Sequence, residues 1–179
     1  LSHAQSVKAL LDGCVRSLAQ LSGCELTQLY LLDATHTRLE MSAECLNGVL
    51  QTEQSQSLSV DYTGEQLLQF ALCQNRAVCL GELSSSLHET SFLPPRASPW
   101  QSLLCVPLVN HKQAVEGVLL CASGAHLDLQ GFASSFGQLG AFVLGQRRLL
   151  QSLGGPVDAA TPASLITPSA SGYGLIGKS

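Results

Sequence analysis

The chain has 179 residues, 45% hydrophobic and 12% charged, enough for one well-buried core followed by a tail. Its net charge of -4, with Arg147 and Arg148 as the only adjacent basic pair, excludes a broad phosphate-neutralising surface for direct nucleic-acid contact. No apolar run approaches the ~18 residues of a membrane span and no signal-peptide pattern opens the chain, so a cytoplasmic setting without a membrane partner is expected.

Val7, Leu10, Leu11, Cys14, Val15, Leu18 and Leu21 recur at helical spacing, predicting an amphipathic helix over 6–21 that opens at a Ser2/Gln5 capping box and closes at Ser22-Gly23. CELTQLYLLD reads as a buried strand, and RLEMSAE, alternating Leu39, Met41 and Ala43 with charged and polar residues, as its hairpin partner. NGVLQTEQSQ lacks apolar periodicity and reads as a loop leading to a short strand, SLSVD. Thr63 and Gln66 offer a second capping box for a helix over 64–76 that buries Leu67, Leu68, Ala71 and Leu72, followed by the strand AVCLGEL. Residues 84–99, SSSLHETSFLPPRASP, read as a long loop of the kind that forms lids.

SLLCVPLV and AVEGVLLCAS read as antiparallel central strands turning at Asn110–Gln113, although Pro107 cannot donate to a ladder and belongs at an edge or bulge. Phe132, Phe136, Leu139, Phe142, Val143, Leu149 and Leu150 mark a long last helix. Along it Ala133, Gly137, Ala141 and Gly145 form a small-residue stripe that lets another backbone approach, within the fold or across a homodimer. From about Gly154 the composition is that of a linker. The predicted class is α+β: a mostly antiparallel sheet of about six strands, terminal helices on one face, a shorter helix and loops on the other.

The tail ends in GYGLIGKS, which matches the phosphate-loop pattern at Gly172, Gly177, Lys178 and Ser179. Pro162 and Pro168 break any strand before it and no helix follows Ser179, so no nucleotide is expected on these residues. Seven cysteines, an odd number without a C-x-x-C pair, point to reduced thiols, with Cys14, Cys105 and Cys121 in apolar patterns.

QLLQFALCQNRAVCLGEL and SLLCVPLVNHKQAVEGVLLCASG, with Pro107 and Gly117 at characteristic places, resemble a GAF domain, a small-molecule-sensing and dimerising module, across about residues 4–151. LIGKS resembles the opening of the AAA+ ATPase of sigma-54 activators. The resemblance implies a sensory domain over 1–152, a Pro/Ser/Ala/Gly-rich linker over 153–171 and the start of an AAA+ domain over 172–179.

That setting would make the attached AAA+ domain the chain's partner, with a small molecule or a protein as effector and no catalysis by the sensory domain itself. The cyclic-nucleotide signature is absent, and Cys105 is followed by Val106 rather than the histidine of bilin-attaching members, so no cofactor is specified and none need be present. Ligands of GAF folds usually sit between the sheet and the short helix with its loops, which brings forward Phe70, Cys73, His88 with Glu89, and Trp100. His88 is otherwise a solvated surface residue and Trp100 a lid anchor; His3, His36, His111 and His126 read as surface. Two alternatives stand beside the regulatory reading: a redox or metal/iron-sulfur sensor using Cys24, Cys45, Cys73 and Cys79, and an enzyme like the GAF-fold methionine sulfoxide reductases.

Overall fold

The computed structural model describes residues 3–52, 57–60, 67–83 and 92–153. Helix α1 (His3–Ser22) precedes strands β1 (Leu26–Leu32), β2 (Arg38–Leu46), β3 (Val49–Leu50) and β4 (Ser57–Ser59); then follow α2 (Leu67–Gln74), β5 (Val78–Leu80), β6 (Ser102–Val109), β7 (Val115–Ser123) and α3 (Ala133–Leu153). Lys8–Gln146 form one unit, whose architecture follows. Leu1–Val7 with Arg147–Ser179 form a second, in which Leu149 and Leu153 are exposed. Ser2 of the first capping box, Thr63 and Gln66 of the second, Glu89 with His88, and the whole tail from Gly154 lie outside the described residues.

The seven strands make one antiparallel sheet in the order β3-β2-β1-β7-β6-β5, with β4 pairing a further stretch of β2. The sequence reading counted one strand fewer because it took NGVLQTEQSQ for loop. Asn47 and Gly48, both at positive φ (52° and 80°), make a two-residue turn that folds Val49–Leu50 back onto Cys45–Leu46. Asn-Gly is the strongest short hairpin signal, so the information was present.

Alternate strand residues point to opposite faces. On one face Leu26, Tyr30, Leu103, Cys105, Val118 and Leu120 pack against Leu67, Leu68 and Ala71 of α2. On the other, the Thr27 hydroxyl donates to the Val15 carbonyl of α1 at 2.7 Å, and α3 lies so close that a Cβ at Gly140 would run into Leu108. The expected placement of terminal helices on one face and α2 on the other therefore holds.

Three local features follow. β5 accompanies β6 only from Leu103 to Cys105, so Pro107 has a strand neighbour only in β7 among the described residues, and its missing N–H interrupts no second ladder. A Cβ at Gly117 would collide with the Tyr30 carbonyl of β1, which explains a glycine in a central strand. Leu21, expected on the buried stripe, is half exposed; Ser22 takes the inward position at the helix end and donates to the Leu18 carbonyl at 2.7 Å.

Candidate functional site

The layer between α2 and the sheet is mostly apolar, yet α2 carries one buried polar residue. Gln69 is 4% exposed; its Nε2 donates to the Ser59 carbonyl at 2.9 Å, while its Oε1 is buried with no hydrogen-bond partner among the described residues. Such an acceptor costs about 1–3 kcal/mol unless something donates to it. On the same face a buried polar chain runs along the sheet: Tyr30 Oη donates to Gln28 Oε1 at 3.0 Å, and Gln28 Nε2 donates to Glu44 at 2.7 Å. The sequence reading missed Gln69, which sits among Leu67, Leu68, Phe70 and Ala71 and passes for the polar side of an amphipathic helix.

The residues singled out from sequence separate. Phe70 is half-buried on α2, beside the layer. Cys73 is exposed at the end of the same helix, and Cys79 on β5 is half-buried. Trp100 anchors its loop: Nε1 donates to the Pro94 carbonyl at 2.8 Å, and the Arg96 guanidinium stacks over the ring, 4.5 Å from its centroid. Arg96 also pairs with Glu25 at 3.1 Å, and Glu25 accepts a 2.6 Å hydrogen bond from the Gly124 amide. One carboxylate thus ties the loop to the start of β1 and the end of β7. The Gly124 N–H, with Arg96 and Ser123, holds the Glu25 carboxyl below its usual range against the opposing effect of burial.

A second site lies where α1 ends. A cavity of about 350 Å³ is lined by Arg16, Ala19, Gln20, Gly23, Cys24, Cys45 and Gly48. Gly23 adopts a left-handed conformation (φ 74°) and its N–H bonds the Ala19 carbonyl at 2.9 Å, turning the chain out of the helix and delivering Cys24 to the sheet. Thr27 of β1 stands between Cys45 of β2 and Cys121 of β7. Thus Cys24 and Cys45 line one cavity, while Cys73, exposed at the end of α2, and Cys79, half-buried on β5, are not part of its lining. Among the described residues no group of three or more His, Cys, Asp and Glu could hold a metal ion.

Burial pushes the Cys14 thiol up to about 12 and raises Cys105 further, as expected of inert core thiols. The small-residue stripe is split by the structure. Gly137 is half-buried, its Cβ position 3.9 Å from Val106; Ala141 is exposed and Gly145 half-exposed. Close approach within the fold occurs instead at Gly140, off that stripe.

No family profile matches the sequence. No curated protein does either. Solved structures do resemble the chain. The GAF domain of an Acinetobacter phosphoenolpyruvate-protein phosphotransferase superposes with a TM-score of 0.65 at 23% identity, covering 83% of this chain and 85% of its own. The type II free methionine-R-sulfoxide reductase of Thermoplasma acidophilum gives 0.63 at 13% identity, covering 84% and 96%. The GAF domain of Thermosynechococcus elongatus PixJ, in its blue-light absorbing form, gives 0.62 at 17% identity, covering 89% and 95%. An antiparallel sheet in this order, with terminal helices on one face and α2 on the other, is the fold of GAF domains, and this chain has it.

Proposed function

We propose that this chain is a regulatory sensory domain that binds a small-molecule effector between α2 and the sheet and controls an attached sigma-54 activator ATPase. The observation that carries the binding reading is the Gln69 Oε1 atom of α2, buried and, among the described residues, without a donor. A ligand N–H or O–H placed there would satisfy it, and the apolar layer that Leu67, Leu68 and Ala71 of the same helix form with the sheet favours an otherwise apolar body. An effector with unequal affinity for two arrangements of the terminal helices suffices to shift the attached ATPase. The ATPase setting is supported by the LIGKS resemblance at residues 175–179.

Exposed Phe142 beside Ala141 on α3 supports a homodimer through this helix. Enzymatic reduction of free methionine sulfoxide is a second reading, favoured only by fold likeness to the Thermoplasma enzyme. Native mass spectrometry of the protein after equilibration with a cell extract tests the binding reading. The expected result is a small molecule retained by the natural chain and lost by Gln69→Met; the bare chain mass in both contradicts it. Turnover of free methionine-R-sulfoxide would transfer the case to the enzyme.

A further inference from the structure

The cavity at the end of α1 has fixed walls and a chemistry that the effector site does not use. The Cys24 N–H donates to Ser22 Oγ at 3.2 Å, and the Asn47 N–H donates to the Glu25 carbonyl at 2.7 Å. These bonds hold the start of β1 between the last turn of α1 and the β2–β3 turn. Gly23 and Gly48 are both left-handed, and a Cβ on either would meet nothing within 4 Å, so both border open space.

Two buried thiols and one cation share this cavity. Cys24 is 6% exposed and Cys45 1%, so of the two thiols Cys24 is the more accessible. Arg16 is the one charged residue of the lining, and among the described residues its guanidinium makes no ion pair or hydrogen bond. The volume, about 350 Å³, falls in the range of ~300–1,000 Å³ typical of pockets for small organic ligands. A guanidinium without a partner favours an anion, carboxylates above all, and the thiols beside it favour a reagent that exchanges with sulfur.

We propose that this cavity is a thiolation site, in which Arg16 attracts a low-molecular-weight disulfide bearing carboxylates and Cys24 takes up one half of it as a mixed disulfide. The Cys24 thiol gives its proton to water, and the thiolate attacks one sulfur of the reagent. The reagent's S–S bond breaks, and its other half leaves as a thiolate that regains a proton from water. One disulfide replaces another, so the reagent itself is the oxidant. Free thiols reverse the step, and occupancy of Cys24 therefore follows the ratio of disulfide to thiol around the protein. The adduct stands where α1 hands over to β1. This inference does not rest on the effector reading, since no residue of α2 lines the cavity.

The test uses a Cys73→Ala background, which removes the exposed thiol, and three disulfide probes: anionic dithiobis-nitrobenzoate, neutral dithiodipyridine and cationic cystamine. Peptide mapping without reduction gives the site and rate of labelling, each rate divided by that probe's rate with the urea-unfolded chain. The expected result is dithiothreitol-reversible labelling of Cys24 well before Cys14, Cys45 and Cys105, with the normalised anion-to-cation ratio about ten, the lower end of electrostatic steering. Arg16→Gln, at an exposed position, should bring that ratio close to one and leave the normalised rate of the neutral probe on Cys24 unchanged. Labelling of Cys24 no faster than Cys14 and Cys105, labelling of Cys45 in its place, or a ratio untouched by Arg16→Gln overturns the proposal.

Discussion

Gln69→Met separates a residue kept for binding from one kept for stability. Methionine is unbranched and of similar length, so it fills the position without a polar end. The substitution removes the 2.9 Å bond to the Ser59 carbonyl, a neutral hydrogen bond whose net worth is about 1 kcal/mol, and Ser59 is exposed, so water replaces the lost donor. It also removes the buried Oε1, without a partner among the described residues, whose desolvation costs about 1–3 kcal/mol.

The balance is neutral to stabilising by roughly 1–2 kcal/mol in the ligand-free chain, or a rise of several degrees in Tm for a domain of this size. Thermal unfolding followed by circular dichroism reads it directly. In the presence of effector the order reverses, because only the natural chain gains from binding. A ligand-free Gln69→Met variant destabilised by about 2 kcal/mol or more would refute the reasoning, since the amide oxygen would then have a structural partner.

Other predictions follow from single contacts. Gly117→Ala drives a methyl into the Tyr30 backbone carbonyl and should cost about 3 kcal/mol in urea unfolding, whereas Gly140→Ala meets chiefly the tip of Leu108 and should cost clearly less. Equal losses would show that the close approach at β1 relaxes. Glu25 has a folded pKa depressed below its ordinary 4.5, so the stability it contributes is present above about that pH and fades as pH falls through the lower folded value. Glu25→Gln should therefore melt earlier at neutral pH, the gap closing below pH 4.5, and should shift the fluorescence of Trp100, the sole tryptophan. A pH-independent gap would argue against the ionised clamp. Phe142→Lys should reduce the native mass from dimer to monomer and, because the ring is 59% exposed in the monomer, lower Tm only by the concentration-dependent part that dimerisation adds; a retained dimer places the interface elsewhere.

Much of the fold was legible because periodicity and turn chemistry agreed. The helix over 6–21, the hairpins at Asp33–Thr37 and Asn110–Gln113 and the face assignment all rest on local patterns that tertiary packing reinforced. β3 was missed through the absence of apolar alternation, although a two-residue strand needs only its Asn-Gly turn. The candidate sites were harder to read because their defining property is partnership. Gln69 looks like any polar helix residue until its oxygen is found buried, and nothing in the spacing of Cys24 and Cys45 shows that they line one cavity. Residues 24 and 45 come to one cavity because α1 ends beside the β1–β2 pair, where Thr27 stands against Cys45. Gly140, likewise, is marked by the depth of Leu108 beneath it rather than by any stripe along α3.

The regulatory reading is tested most directly by the ATPase rate of the full-length protein compared with the same protein lacking residues 1–152. A sensory domain that holds or releases its neighbour should change the rate by about tenfold, the effect of a coupling free energy of about 1.4 kcal/mol, on its removal. Equal rates with and without residues 1–152, or no ATPase activity in either protein, would contradict it.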